Sequence, residues 1–316
     1  VHGIYFLDQL LLYKKFEQGG RPSYKLSAIA QEELGKDKVA YEGTLDTLYE
    51  TDIVRFIEYS ATDTSLLKEL EDKNGYIKLR YELLKICSST WKRAETTTGL
   101  LDPLLVKYAK QNKLVCRNRV FNDKEEFPGA HVIKPTPGLY KWVVDFDFRS
   151  LYPSIIRTFN IGPDTFFAKI EQEDAEIYLY NKNNLNKKIN ILFNPMKKSS
   201  VISMIDKNEF INLIEENNYI VSRNCCIYIS HKDKISFFNQ IVTYLMNSRD
   251  IYKSEMKKEK DKLNNKELSE KDREYQEGII KRVDSIQQAY KILNNACFLD
   301  NTEILTYWGW RNIYDV

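Results

Sequence analysis

Apolar positions in the N-terminal third of the chain recur at helical spacing. Residues 24–35 (YKLSAIAQEELG) repeat apolar side chains with this period and end at Gly35, which suits the left-handed C-cap of a helix. Residues 47–70 have a similar pattern, with a break expected near residues 60–64, and residues 76–98 form another amphipathic stretch. This part of the chain is therefore predicted to be mainly helical.

The middle of the chain changes to a strand-like and loop-like composition. Prolines and glycines become frequent between residues 115 and 140, which indicates a loop or a domain junction. Residues 139–148 (LYKWVVDFDF) are rich in β-branched and aromatic side chains and are predicted to form a buried strand. Residues 170–218 are rich in Asn, Lys and Glu with short apolar islands. This composition predicts an insert, but the pattern carries little information about the structure of the insert.

Two long helical patterns follow, over residues 236–262 and 268–296. Ser269 and Asp272 at the start of the second pattern resemble a capping box. The two patterns predict an antiparallel helical hairpin, and most of its mixed charges suit a solvated face.

Composition limits the classes of function. The 316 residues are 43% hydrophobic, enough for a large core and for two or three domains. A net charge of +2 does not indicate a nucleic-acid binder, so any such function must rest on local motifs. Five cysteines without paired spacing favour a reducing compartment. No apolar run suggests a membrane span, and the start at Val1 is expected to lie inside a longer protein.

A strand-to-helix junction at residues 145–156 (DFDFRSLYPSII) carries the most specific chemistry. Two carboxylates, Asp145 and Asp147, follow an apolar segment, and Mg²⁺ commonly takes one or two carboxylates together with substrate phosphates. Backbone N–H groups at the helix start can bind a triphosphate. Without the rest of the string, a turn with solvated Asp residues would fit equally well. The string D-x-x-S-L-Y-P-S resembles the first palm motif of family B DNA polymerases, and residues 138–165 resemble those of tailed phages most.

This resemblance implies roles for the residues of the motif. Asp147 would bind both catalytic metals, and Phe148 would offer its backbone carbonyl to one of them. The incoming nucleotide would contact three residues at the helix start: Ser150, Leu151 and Tyr152. Tyr152 would also exclude a ribose 2′-OH and so select deoxynucleotides. Asp145 lies outside the family motif and is given a secondary role.

Two pairs of polar residues mark the long helical patterns. Arg249 and Lys253 are four residues apart, and like charges at that spacing destabilise an isolated helix by roughly 0.2–0.5 kcal/mol unless an anion lies between them. Lys291 and Asn295 have the same spacing, and the two pairs resemble the R-x-x-x-K and K-x-x-x-N-S-x-Y-G patterns of the family B fingers. The resemblance implies that Arg249, Lys253 and Lys291 hold the triphosphate. Asn295 would lie near the nascent base pair, although Ala296 replaces the usual Ser and the x-Y-G is missing.

Tyr59 and Asp63 fit a Y-x-x-x-D pattern, which puts a phenol hydroxyl and a carboxylate on one helical face. The pattern resembles the third exonuclease motif of family B, which implies that Asp63 binds metal and that Tyr59 orients the attacking water. Two earlier motifs would lie upstream of Val1, so the chain alone is not expected to proofread. Residues 127–132 (FPGAHV) resemble the junction between the exonuclease and polymerase domains.

The helical pattern is interrupted at Cys297. The next residues predict a turn at Asp300-Asn301 and then a strand. The alternative is a native helix in which Cys297 is a small buried residue. Residues 297–316 (CFLDNTEILTYWGWRNIYDV) resemble the first block of inteins, with a leading Cys, a D-x-T-E-I-L core and a following G-W-R-x-I-x-D.

The intein resemblance implies protein splicing. The Cys297 thiol would attack the carbonyl of Ala296, the scissile bond, and give a thioester by an N-to-S acyl shift. The Thr-x-x-His block and the terminal His-Asn pair of inteins are not in these 316 residues. A split intein is therefore expected, whose complementary C-terminal fragment is fused to the rest of the polymerase on a partner chain.

Together these features predict an α+β chain of several parts. The expected order is 1–105, part of a 3′–5′ exonuclease domain of RNase H-like fold; 106–137, a junction; 138–235, part of the palm with an insert; 236–296, the helical-hairpin fingers; and 297–316, a short β segment of a Hint-type intein. The expected cofactor is Mg²⁺ at a two-metal site that the partner chain completes.

The function implied is DNA-dependent DNA polymerisation after trans-splicing, with the isolated chain inactive. The expected partners are the complementary chain, a DNA primer-template and deoxynucleoside triphosphates, without a membrane, in the cytoplasm of a bacterial or phage-infected cell. Two alternatives remain: a truncated polymerase whose intein splices in cis, and a non-catalytic DNA-binding remnant whose tail docks a partner.

Overall fold

The computed structural model describes most of the chain in separate stretches. They are residues 3–17, 20–115, 133–148, 150–171, 188–193, 201–222, 225–264 and 268–299. The chain divides into two compact units. The first unit comprises Val1–Ile86, Thr90–Lys92 and Ile251–Ala289, and the second comprises Cys87–Ser89, Arg93–Asp250 and Tyr290–Val316.

Amphipathic helices build the N-terminal part of the first unit. They are α1 (Gln9–Phe16), α2 (Leu26–Leu34), α3 (Leu45–Thr51), α4 (Ile53–Asn74) and α5 (Tyr76–Cys87). Tyr13, Ile29 and Leu70 form a buried cluster that joins α1, α2 and α4. The ring of Tyr13 also meets the ring of Tyr76 edge-on at 5.9 Å, which adds α5 to the same core.

The helix ends follow local chemistry. Gly35 caps α2 with a φ of 67°, which confirms the predicted left-handed cap. The break expected near residues 60–64 is wrong, because α4 runs through that segment without interruption. The interruption lies at Asp52 instead, where the carboxylate accepts a hydrogen bond from the Arg55 N–H at 3.0 Å and caps the start of α4.

The second unit combines helices with an antiparallel sheet. Its elements include α6 (Thr97–Gln111), α7 (Leu151–Phe159), β1 (Phe166–Ile170), β2 (Lys188–Phe193), β3 (Val201–Asp206), α8 (Lys207–Glu216), β4 (Ile220–Val221) and β5 (Cys226–Tyr228). The strands lie in the order β3-β2-β1-β5-β4, and all neighbours are antiparallel. Phe210 of α8 packs with Ile189 and Ile227 of the sheet in a buried cluster. The segment between residues 170 and 218 therefore contributes strands and a helix to this core.

The buried strand predicted at residues 139–148 is wrong. These residues form no strand, and their apolar side chains are exposed, with Trp142 at 96% and Phe146 at 87% of full exposure. A strand needs a neighbour to satisfy its backbone N–H and C=O groups, and no described strand pairs with this segment. The composition indicated an apolar segment, but it could not indicate whether a neighbouring strand would pair with that segment.

The predicted helical hairpin is confirmed. Helix α9 (Phe237–Leu263) and helix α10 (Glu270–Leu299) each contribute residues to both units. Within the second unit, the hydroxyl groups of Tyr244 and Tyr290 lie 3.3 Å apart. Within the first, the Gln276 amide donates to the carbonyl oxygen of Glu259 at 3.2 Å. The later residue of α9 thus contacts the earlier residue of α10, as expected for antiparallel helices. None of the helices that the structure describes is long and apolar enough to span a membrane.

The Ser269 half of the capping box predicted at the start of the second hairpin helix is also confirmed. The Asp272 N–H donates to the Ser269 hydroxyl at 3.2 Å, and the Ser269 hydroxyl donates to the Asp272 carboxylate at 2.6 Å. This pair satisfies a backbone donor that the first turn of α10 leaves without an intrahelical acceptor.

A buried amide joins the end of α7 to the start of α9 within the second unit. Asn160 is fully buried, and its side chain donates to the carbonyl oxygens of Ile229 at 2.9 Å and Lys234 at 2.8 Å. Its Oδ1 accepts from the Ser236 N–H at 3.0 Å and from the Asn239 amide at 3.3 Å. The side chain thus uses both donors and both acceptor positions, so α7 is held in one orientation.

Gly162 lies against the same network, and we expect Gly162→Ala to destabilise the second unit. An added Cβ would lie 1.7 Å from Ser236 Oγ, which donates to the Ile161 carbonyl and to the Asp164 carboxylate. The expected loss is about 1–3 kcal/mol in the free energy of unfolding, measured by urea titration followed by circular dichroism. The matched control is Gly278→Ala, at an exposed site in α10 with nothing within 4 Å of the new Cβ. It should stabilise by about 0.5–1 kcal/mol, and equal effects of the two variants would contradict the packing argument.

Candidate functional site

Two exposed carboxylates precede helix α7. Asp145 and Asp147 lie in an exposed segment, and α7 begins at Leu151. The first N–H groups of a helix have no intrahelical acceptor and carry partial positive charge. The arrangement therefore puts acidic groups, which attract a cation, next to a helix end, which attracts an anion. A cation-bound phosphate is the ligand that suits both.

The backbone at Ser150 is unusual. Its φ of 53° and ψ of 50° put this residue in the left-handed region, and its side chain makes no capping hydrogen bond to α7. A residue with a side chain in this region is uncommon, and such residues concentrate at functional sites. The turn lets the chain leave the acidic segment and enter α7 directly. Gly and Asn are the residues that usually indicate a left-handed backbone, and the sequence has Ser at this position, so it did not predict the turn.

The residues present at this site fit part of a magnesium site. No group of three or more His, Cys, Asp or Glu side chains among the described residues is arranged to hold a metal ion. Mg²⁺, however, commonly binds one or two carboxylates and completes its shell with water and substrate phosphates. Asp145 and Asp147 form no ion pair with any described side chain, so their charge remains available to a cation.

The other proposed nucleotide contacts lie on the expected elements. Phe148 is exposed, and Leu151 and Tyr152 occupy the first turn of α7 with 43% and 39% exposure. On the hairpin, α9 carries Arg249 and Lys253, and α10 carries Lys291 and Asn295. Each pair is one helical turn apart on its own helix, as the spacing predicted.

A second cluster surrounds Asp63 in the first unit. Because α4 is continuous, Tyr59 and Asp63 lie on one face of it, as the motif predicted. Lys38 donates to Asp63 Oδ2 at 2.8 Å and to the Tyr59 hydroxyl at 3.1 Å. The ring of Tyr41 meets that of Tyr59 edge-on at 5.1 Å. The other carboxylate oxygen of Asp63 is buried and has no hydrogen-bond partner, which fits a group that binds a cation.

Lys38 is a site residue that the sequence did not reveal. Burial lowers the pKa of Lys38, but its hydrogen bonds to Asp63 and Tyr59 outweigh this effect, so the net pKa is raised. Lys38 therefore stays charged and forms an ion pair with Asp63 Oδ2, which leaves Oδ1 without a partner. It lies 25 residues before Asp63 in the chain, so no local pattern connects the two.

The C-terminal junction differs from its prediction. The helical pattern was expected to stop at Cys297, but α10 continues to Leu299. Ala296 and Cys297 are 5% and 2% exposed, and burial raises the pKa of the Cys297 thiol to about 12. The reason is that Leu293, Ala296 and Cys297 share an apolar helix face, which extends the helix beyond the break in the motif. The turn and strand predicted after Asp300 lie outside the described residues, as does the junction string at 127–132.

Comparison with known proteins gives a consistent family. The model of DNA polymerase family B matches residues 92–298 of this chain. The DNA-directed DNA polymerase of Escherichia phage RB69 is 33% identical over 178 residues, which cover 56% of this chain and 20% of that protein. The DNA-directed DNA polymerase of Enterobacteria phage T4 is 31% identical over 179 residues, which cover 57% and 20%. This chain therefore spans about a fifth of the length of these two relatives.

A solved structure supports the same fold. The family B DNA polymerase from the hyperthermophilic archaeon Pyrobaculum calidifontis matches with a TM-score of 0.52 at 18% identity. The match covers 90% of this chain and 30% of that chain. The likeness extends over nearly all of the chain, including N-terminal residues that the family model leaves out.

Proposed function

Because this chain belongs to DNA polymerase family B, we propose that it supplies part of a polymerase that adds deoxynucleotides to a DNA primer along a template. The observation that carries the proposal is the position of Asp147 just before the N terminus of α7, inside the segment matched by the family model. Acidic groups that attract a cation thus adjoin N–H groups that attract a phosphate.

The residues around α7 would bind and orient the incoming nucleotide. The N–H groups of the first turn would hold the triphosphate, and Asp147 would hold the cation that accompanies it. The Phe148 carbonyl would contribute an oxygen ligand. The half-exposed ring of Tyr152 would pack against the sugar and exclude a 2′-hydroxyl. Bound Mg²⁺ would stabilise the negative charge that develops on the transferred phosphoryl group.

The family resemblance implies that the hairpin also contributes to triphosphate binding. Arg249, Lys253 and Lys291 supply three positive charges from two neighbouring helices, and Asn295 would contact the nascent base pair. A single charged residue on a helix would not indicate a binding site. The proposal is supported by the order and spacing of the two residue pairs on the hairpin helices.

Two-metal phosphoryl transfer needs carboxylates beyond Asp147. Among the described residues no cluster of three acidic or metal-binding side chains supplies them. We propose that the rest of a longer polymerase provides the second carboxylate, together with strands that cover residues 139–148. In the first unit, Asp63, Tyr59 and Lys38 would belong to an exonuclease site that likewise takes further acidic ligands from elsewhere.

We further propose that residues 297–316 are the N-terminal fragment of a split intein. The family match ends at residue 298, one residue after Cys297, so the intein-like string lies almost wholly outside it. In the reaction the Cys297 thiol loses its proton, the sulfur bonds to the Ala296 carbonyl carbon, and the C–N bond between the two residues breaks. The released amine of Cys297 takes up a proton, and a thioester remains. The partner chain would then accept the acyl group and complete the splice.

Mixing with a complementary chain tests this function. That chain would begin within the intein and continue into the rest of the polymerase. We expect a ligated product on a denaturing gel, and primer extension at least about 100-fold above that of either chain alone. The control is this chain ended at Ala296, which has the same polymerase residues but no intein fragment. Ligation by the control, or no extension by the ligated product, would contradict the proposal.

A further inference from the structure

The proposed splice junction lies inside a folded helix. The peptide bond between Ala296 and Cys297 is part of α10, which continues to Leu299. Both residues are buried, at 5% and 2% exposure, and Leu293 one turn earlier is fully buried. An alkylating reagent, a base or a partner chain therefore has no direct access to the thiol while this turn is folded.

The environment also disfavours the reactive form of the thiol. Burial raises the pKa of Cys297 to about 12, so almost none of it is thiolate near neutral pH. Acyl transfer needs the thiolate, because the thiol is a poor nucleophile. A second buried thiol, Cys87 of the same unit, has its own pKa raised by burial and by the proximity of Cys297.

One side chain in the turn is poorly accommodated. Asn294 lies three residues before Cys297 on α10 and is only 3% exposed. Neither its Oδ1 nor its Nδ2 atom has a hydrogen-bond partner. A buried amide without partners destabilises the folded state, because unfolding would return it to water. The unpaired amide therefore raises the free energy of the folded turn, and opening the turn removes this destabilisation.

We propose that the last turn of α10 is a gate that keeps the splice junction inert until the chain meets its partner, and that Asn294 sets how readily the gate opens. The gate presupposes the proposed splicing reaction. Such a gate would prevent a side reaction, because a thioester formed without a partner would be hydrolysed by water. Hydrolysis would separate the polymerase residues from the intein fragment, and they could not be ligated afterwards.

Alkylation of the full chain by iodoacetamide tests the gate without any partner. The reacted fractions of Cys297 and Cys225 are followed by mass spectrometry of their peptides, and Cys225, buried in the sheet core, reports global unfolding. We expect Cys297 to react at least about 100-fold more slowly than in the urea-unfolded chain. Reaction at the unfolded rate while Cys225 stays protected would overturn the proposal.

Variants at Asn294 test its role. Asn294→Leu keeps the branching of the side chain and removes the unpaired amide, so Cys297 should react about 10-fold more slowly than in the parent. Asn294→Ala should act in the same direction and cannot overpack the site if Leu fails to fit. Asn295→Leu, the same change at the exposed neighbouring position, should leave the alkylation rate within about twofold. Equal rates in the parent and both Asn294 variants would overturn the role of Asn294.

Splicing is scored separately with the complementary chain. Slower ligation by Asn294→Leu, with the same final yield, supports the gate, and an unchanged ligation rate contradicts it. Absence of ligation from the parent chain itself would overturn the proposed splicing function. Protection of Cys297 from alkylation would in that case still stand as a property of the helix, so the two failures are distinguishable.

Discussion

Asp147→Asn is expected to reduce nucleotide incorporation by at least about 1,000-fold in the polymerase assembled from this chain and its complement, or about 4 kcal/mol in activation free energy. The amide has the shape of the carboxylate but carries no charge, so the variant removes the proposed metal ligand without changing the packing. Asp147 is exposed, and its replacement should leave the free energy of unfolding nearly unchanged. The measurement is single-turnover primer extension with a labelled primer and a saturating deoxynucleoside triphosphate.

Asp145→Asn is the matched control for this result. It removes the same charge two residues away in the same exposed segment, but outside the family motif. We expect a loss of less than about 10-fold, because a nearby charge that is not a ligand acts only through screened electrostatics. Equal losses in the two variants would mean that the segment contributes general negative charge. Undiminished incorporation by Asp147→Asn would exclude it as a metal ligand.

The long helices were predictable from the sequence because each buries a stripe of its own surface. The helices α9 and α10 repeat apolar residues at the helical period over many turns, and Ser269 with Asp272 marks the start of the second. A long repeat outweighs individual exceptions. The break in the family motif at Cys297 predicts a break in the helix, but the apolar face continues past that position and α10 extends to Leu299.

The sheet was difficult to predict because strand formation depends on neighbours. The buried residues of β2, Ile189 and Ile191, alternate as a half-buried strand should, but Asn and Lys residues around them hide so short a signal. Residues 139–148 present the opposite case. Their composition is strongly strand-like, yet no described strand lies beside them, and they remain exposed. Composition thus indicates a preference for the strand conformation, but a strand forms only where a neighbouring strand pairs with it.

The candidate sites show the same division. The motif residues could be identified because their spacing along one helix or turn fixes which side chains share a face, as for Tyr59 and Asp63. Lys38 could not, because only the fold brings it to Asp63. The left-handed turn at Ser150 and the unpaired amide of Asn294 also left no sequence signal. They are backbone and burial properties that depend on packing.

Cys297→Ala is expected to reduce the ligated product to less than about 1% of the parent yield when the two chains are mixed, because alanine has no nucleophile to attack the Ala296 carbonyl. The replacement is small and apolar, and alanine favours the helix, so α10 should keep its fold. Cys297→Ser should give a low but measurable yield, because a hydroxyl can attack the same carbonyl but is a weaker nucleophile. The measurement is ligated product against time on a denaturing gel, with mass spectrometry of the new junction.

Cys87→Ala is the control that separates chemistry from packing. Cys87 is also a fully buried free thiol of the second unit and lies near Cys297, so its loss changes the packing beside the proposed junction but leaves the proposed nucleophile in place. We expect ligation within about threefold of the parent, since the Cys87 thiol is not the one next to the scissile carbonyl and takes no part in the proposed acyl transfer. If Cys297→Ala ligates as well as the parent, residues 297–316 do not act as an intein. If both variants lose ligation equally, the effect of Cys297 lies in the folding of this unit, because only the thiol at the junction can form the thioester.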